Sequence, residues 1–163
     1  TNATLAGIDI DASLTFTENF NFYHQLSLVK GYDNTRDLPL IDMPPVNTTN
    51  GLVYQNKELK NLRIELQSEY TFRQNEFPDN NFEAFIPETN MFELVDVSTP
   101  PNAYHLLHLH SNADFKLGKN SMLNVGFSVT NIFDTNYRNY LNRLRYYADD
   151  LGRNFSINLK ITY

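Results

Sequence analysis

The sequence has 163 residues, with 13 Lys plus Arg against 19 Asp plus Glu for a formal charge of -6, no Cys, no Trp, 12 Phe and 10 Tyr. The acidic balance argues against nucleic acid as a partner, and the missing cysteines exclude a disulfide framework or a thiolate metal site. No apolar run approaches the roughly 20 residues that a membrane-crossing helix needs, but a β-barrel wall alternates and keeps a polar average, so that class stays open.

In chain order, the first strand sets Ala6, Ile8, Ile10, Ala12, Leu14 and Phe16 on one face against Gly7, Asp9, Asp11, Ser13 and Thr15 on the other. A period of two predicts a strand with one apolar and one polar face. After a turn at 17–19, a second strand carries Phe20, Phe22, Leu26, Leu28 and Tyr32, interrupted on the same face by His24 and Lys30. Residues 33–45 hold three prolines and no alternation, which predicts a long loop. The third strand, about 46–56, alternates least clearly. In the fourth, Leu62, Ile64, Leu66, Tyr70 and Phe72 oppose Arg63, Glu65, Gln67, Glu69 and Arg73, with Ser68 off pattern. A second long loop at 74–101 is acidic throughout, without Lys or Arg. The fifth strand, about 103–116, places Leu107, Leu109, Ala113 and Phe115 opposite His108, His110, Asn112, Asp114 and Lys116, and adjacent Leu106 and Leu107 predict a bulge. A tight turn at 117–121 leads to the sixth strand, Leu123 to Thr130, and a third long loop spans 134–152. The last strand alternates without a slip: Phe155, Ile157, Leu159, Ile161 and Tyr163 against Ser156, Asn158, Lys160 and Thr162.

Connections thus alternate short and long, as in an antiparallel up-and-down transmembrane β-barrel with tight periplasmic turns and long outer loops. That orientation puts Phe16, Phe20, Tyr54, Phe115 and Tyr163 at the periplasmic rim and Tyr32, Tyr70, Phe72, Tyr104 and Phe133 at the outer rim, two aromatic girdles. A ten-residue strand rising ~3.3 Å per residue at ~40° tilt spans roughly 25 Å, the height of the apolar band. Seven strands are an odd count where single-chain bacterial barrels are even, and bare edges cannot face hydrocarbon. The expectation is a C-terminal portion, residues 1–163, of a larger barrel. A complete eight-stranded structural barrel would need another strand within 74–101, and a soluble β-sandwich binding module would turn the polar faces to solvent.

The stretch "VTNIFDTNYRNYLNRLRYYADDLGRNFSINLKITY" resembles the C-terminal end of TonB-dependent outer-membrane receptors, with an "NLF"-like strand end, a Tyr-Arg loop, a "GR" pair and a terminal aromatic. "DLPLIDMPP" resembles the family's "PLP-MPP" loop, and "YHLLHLHSNADFKLGKNSMLNVGFSVTN" its penultimate hairpin. The resemblance covers most of 32–163. It implies the last strands of a 22-stranded barrel, in the bacterial outer membrane, whose remaining strands and plug domain lie outside this sequence. It further implies energy from TonB and uptake of a metal complex, a ferric siderophore first, with haem or free metal behind it. Phe155, Ile157, Leu159, Ile161 and Tyr163 would be the signal read by the barrel-assembly machinery; they are equally a lipid-facing strand with a girdle aromatic.

Candidate ligand residues follow from chemistry. His108 and His110 share a face with Cα atoms about 6.6 Å apart, within reach of one metal ion, and imidazole with carboxylate suits zinc, copper or iron; they could also simply line the lumen. His105 stands at the outer end, as a ligand or a rim residue. Arg138, Arg143 and Arg145, interleaved with Tyr137, Tyr140, Tyr146 and Tyr147, could hold an anionic planar chelate by paired hydrogen bonds and cation-π contact. The competing view, which we favour, pairs them with Asp149, Asp150, Glu65 or Glu69 as structure. No glycine-rich phosphate loop, metalloprotease helix or nucleophile elbow appears, so no enzymatic activity and no resident cofactor is expected.

Overall fold

The computed structural model describes residues 2–163, so position 1 of the expected domain lies outside the described residues. Among the described residues ten strands form: β1 Ala3–Thr15, β2 Phe20–Asp33, β3 Leu38–Pro39, β4 Asn47–Asn56, β5 Leu62–Thr71, β6 Phe82–Ile86, β7 Met91–Val95, β8 Tyr104–Lys116, β9 Met122–Thr130 and β10 Asn154–Thr162. The main sheet runs β1-β2-β4-β5-β8-β9-β10, with β3 beside β2. Every pairing is antiparallel, and each long strand lies beside the next long strand in the chain, which is an up-and-down meander. The sheet is open, since β1 and β10 do not pair with each other.

Registered partners share a face, so parity propagates across the sheet. Ile8 opposes Leu28, Leu52 opposes Leu66, Leu66 opposes Leu109, Leu109 opposes Val129 and Val129 opposes Phe155. Most of this apolar face is uncovered: Ile8, Leu52, Leu66, Ile157 and Leu159 are all exposed, while Val129 is buried. The small buried set, Val53, Tyr104, Leu106, Val129 and Tyr140, is too sparse for a globular core. The burial pattern is that of an open sheet whose apolar face is largely uncovered.

Local chemistry sets the connections. At the first tight turn Thr17 Oγ1 accepts from the amides of Asn19 and Phe20, both at 3.2 Å. At the second, Asn56 Oδ1 accepts from Glu58 and Leu59, and Lys60 and Asn61 take left-handed φ values of 61° and 52°. The third closes with Leu117 N donating to Ser121 O at 3.0 Å. Phe20 and Tyr54 pack at one end of the apolar face with ring centroids 4.9 Å apart, and Tyr70 and Phe72 at the other, 4.7 Å apart.

Four details differ from the sequence reading. The bulge at Leu106 and Leu107 is absent, because β5 and β8 pair without a break from Arg63–Asn112 to Thr71–Tyr104. Leu106 simply faces the polar side, where it is 4% exposed. Tyr104 is not an outer-girdle residue; it shares Thr71's face, is buried, and stacks on Tyr137 at 4.6 Å. The loop at 33–45 returns along β2 through β3, seating Leu40 and Met43 over Gly31. The acidic loop at 74–101 contains the β6–β7 hairpin, which forms its own two-stranded sheet and adds no strand to the wall. A closed eight-stranded barrel is therefore not what this chain forms.

Candidate functional site

The polar face carries a network centred on Glu65. Tyr23 on β2 lies across Gly51 of β4, and its hydroxyl donates to Glu65 Oε1 at 2.6 Å, while Arg63 Nη2 donates to Glu65 Oε2 at 2.6 Å. Only glycine at 51 lets a ring cross the strand: a Cβ there would stand 2.6 Å from the Tyr23 hydroxyl oxygen and closer still to two ring carbons. Close backbone approach is one of the few reasons to keep Gly inside a strand.

His110 stands directly opposite Glu65, and His108 one step further toward the long loops. The two imidazoles lie parallel, 16° apart in plane and 6.3 Å between centroids. His108 Nδ1 accepts from the Asn131 amide at 3.3 Å, its Nε2 lies 3.8 Å from Glu69 Oε2, and that Nε2 is buried without a hydrogen bond. The structure thus brings His108, His110 and Glu69 into one neighbourhood. Among the described residues, no group of three or more His, Asp or Glu side chains is placed to hold a metal ion. Asp114 is engaged elsewhere, accepting from Asn61 Nδ2 at 2.8 Å and Asn124 Nδ2 at 2.7 Å. His105 lies on the opposite, apolar face, where it hydrogen-bonds Ser68 Oγ at 2.8 Å.

The loop at 131–153 folds over the long-loop end of this face. Asn131 begins it with a φ of 51°, which Asn tolerates better than most residues. Its side chain donates to Thr135 O and accepts from Thr135 N, both at 2.9 Å, at 2% exposure. Asp150 accepts from Asn139 N at 2.6 Å and Asn142 Nδ2 at 2.8 Å. Arg138 donates from Nε to Asp149 Oδ1 at 2.6 Å and from Nη1 to Arg145 O at 2.9 Å. Arg145 is buried, with its guanidinium carbon 4.5 Å from the Tyr140 ring centre and 4.7 Å from that of Tyr146. It donates from Nη2 to Tyr146 Oη at 2.7 Å and from Nη1 to Tyr140 O. Burial raises the pKa of both Tyr137 and Tyr140, which keeps them neutral donors.

Arg138 and Arg145 are thus committed to their own loop, and of the three expected arginines only Arg143 is exposed. With Tyr140, Arg145 and Tyr146 it lines a cavity of about 210 Å³ shared with Ile41 and Asp42 from the first long loop and Val97 and Ser98 from the second. The three long loops therefore meet at one end of the sheet. Sequence reasoning did not find Tyr23, Gly51 or Asn131; a lone Gly in a strand was the available signal for the first pair.

No family model matches the sequence, and no curated protein matches it. Among solved structures, the chain is similar to "Copper transporter OprC", with a TM-score of 0.72 and 20% identity over 98% of this chain. The match covers 22% of that protein's chain, so this chain spans about a fifth of its length. It has the fold of a part of that transporter.

Proposed function

We propose that this chain is a C-terminal wall segment of a 22-stranded outer-membrane barrel that takes up metal, as the ion or as a complex, with energy delivered by TonB. The observation that carries this reading is the open seven-strand meander with a largely uncovered apolar face, superposing over nearly its whole length on a copper transporter. Hydrocarbon on the apolar side and a watery channel on the other account for both faces, and neighbouring strands of the same barrel would cover the open edges of β1 and β10. A plug domain would sit against the Glu65 network. His110 offers a passing metal an imidazole at the channel wall, with Glu65 opposite it; His108 beside it has Nδ1 engaged by the Asn131 amide and Nε2 buried toward Glu69.

Copper, or another ion that imidazole ligates, fits these groups better than an anionic ferric siderophore, because two of the three arginines that would receive the chelate are occupied by their own loop. The test is accumulation of radiolabelled copper by cells expressing the full-length protein, with and without TonB. TonB-dependent uptake that falls several-fold in a His108→Ala/His110→Ala variant supports the reading. Recovery of the full-length protein in the soluble fraction, without detergent, overturns it.

A further inference from the structure

The lysines are distributed unevenly along the wall. Lys30 stands near the long loops, paired with Glu76, and every other lysine stands at the tight-turn end: Lys57 and Lys60 in the turn at 57–61, Lys119 in the turn at 117–121, and Lys116 and Lys160 near the ends of β8 and β10. Each of these is exposed, and among the described residues none forms an ion pair. By register Lys116 and Lys160 belong to the polar face. The three lysines in the turns are placed differently.

The two turns are neighbours. Lys60 O accepts from Asp114 N at 2.7 Å, so the β4–β5 turn lies against the end of β8, from which the β8–β9 turn continues. Lys60 Nζ sits 4.5 Å from the centre of the Phe115 ring, and Phe115 pairs with Leu123, which pairs with Ile161 on the apolar face. This ammonium therefore stands on the apolar side of the wall, at the level of an interfacial aromatic, where lipid headgroups begin. Each turn also exposes a leucine, Leu59 at 53% and Leu117 at 55%, although turns that meet only water are normally polar. The carboxylates close by in the chain are Glu58 and Asp114, and Asp114 is already held by Asn61 and Asn124 on the polar face. The three lysines thus carry a surplus of positive charge beside exposed apolar side chains.

We propose that these two turns hold the headgroup of an anionic phospholipid in the leaflet on the tight-turn side, a conclusion that rests on the membrane-spanning reading above. Lys57, Lys60 and Lys119 receive the phosphate, as basic side chains at a membrane surface do, while Leu59, Leu117 and Phe115 meet the upper part of the acyl chains. A zwitterionic lipid brings its own cation to the same place and is held less well. A water-soluble acidic partner would reach the turn tips but not the flank of Phe115, so the seat of Lys60 over that ring favours lipid.

The experiment reconstitutes the full-length protein in vesicles of phosphatidylcholine and phosphatidylglycerol, with a fluorophore on Leu117→Cys beside the patch or on Phe16→Cys as the control. Each position is exposed and is the first past its strand, β8 or β1, but the turn at 17–19 holds no lysine. Brominated chains, carried by one lipid or the other, quench the fluorophore they touch. Brominated phosphatidylglycerol should be enriched at Leu117→Cys about fivefold over its share of the bilayer, the worth of one lysine at an anionic surface, and not at Phe16→Cys. Lys57→Gln, Lys60→Gln and Lys119→Gln together should remove the enrichment and leave heat-modifiable gel mobility unchanged, because all three side chains are exposed and outside any ion pair. No enrichment at Leu117→Cys in heat-modifiable, membrane-embedded protein overturns the lipid site while leaving the membrane reading intact. Enrichment that survives the triple substitution, or that is equal at Phe16→Cys, overturns it too. Failure to partition into the vesicles overturns both.

Discussion

Replacing Gly51 with Ala should destabilise the wall far more than one methyl group ordinarily does. Gly to Ala inside a strand removes unfolded-state freedom and by itself favours folding by about 0.5–1 kcal/mol. Here the new Cβ would fall within 2.6 Å of the Tyr23 hydroxyl and nearer still to its ring, so the ring must leave the strand. With it goes the 2.6 Å bond to Glu65, a carboxylate whose side chain is only 15% exposed and which would keep Arg63 alone. Loss of a charge-assisted hydrogen bond costs about 1.5–3 kcal/mol, and overpacking adds about 1–3 kcal/mol. After the backbone gain is subtracted, the net loss is about 1.5–5.5 kcal/mol.

The assay is urea unfolding of the full-length protein in lipid vesicles, followed by the heat-modifiable shift on a gel, in four variants: the parent, Gly51→Ala, Tyr23→Ala and both together. In the Tyr23→Ala background the methyl meets no ring, so Gly51→Ala should become neutral or slightly stabilising. The double-mutant coupling is then comparable to the whole single-mutant loss. Equal cost of Gly51→Ala with and without the Tyr23 ring would refute the crossing-ring account, and so would a cost under about 0.5 kcal/mol in the parent, the scale of an ordinary surface change.

The other expected outcomes concern the loops and the outer face. Asn131→Ala removes a buried side chain that bonds both amide and carbonyl of Thr135 and puts Ala at a φ of 51°, so the loop at 131–153 should loosen by about 2–4 kcal/mol, read as faster limited proteolysis there. Arg145→Lys keeps the charge but loses the planar stacking between Tyr140 and Tyr146, and proteolysis of the same loop should accelerate while membrane insertion is unaffected. Asp96 has its pKa lowered, first by the Thr99 amide, which donates to Oδ1 at 2.9 Å. A depressed carboxylate contributes order that is present above its unfolded pKa of about 3.9 and fades as pH falls through the folded value. Protection of the Thr99 amide from exchange, corrected for the intrinsic pH dependence, should therefore fall only on acidification below the ordinary aspartate range, and should be absent at every pH in Asp96→Ala, which lacks the acceptor. Leu159→Arg on the apolar face of β10 should cost about 2–4 kcal/mol in lipid, whereas Asn158→Arg on the polar face should cost little; the same urea titration checks both.

How far these features were legible depends on how local their causes are. Side-chain parity is local, so Ile157 and Asn158 declare their faces within the strand itself, and a register that preserves parity carries the assignment to every neighbour. Parity fails at strand ends, where a loop can cover the polar side. Tyr104 and Leu106 are apolar by type but on the polar face by register, and nothing within 103–116 announces that Tyr137 will stack on Tyr104. The network at Glu65 is hidden for a related reason. Its partners come from β2 and β5, and Gly51, the residue that lets them meet, lies in β4, whose alternation is obscured by Thr48 and Asn50 on the apolar face and Val53 on the polar one. The arginines show the same limit in the loops. Composition displays Arg138, Arg145, Tyr140 and Tyr146 as a cationic aromatic set, but only folded geometry reveals that the guanidiniums are directed to Asp149, Tyr146 and two loop carbonyls rather than outward. The opposite error also occurs: His24 and Ser68 read as flaws in an alternating pattern when each is alone in its strand. Registered beside Asn50 and His105, they are a continuous polar patch, and exceptions in single strands acquire meaning only when the sheet is assembled.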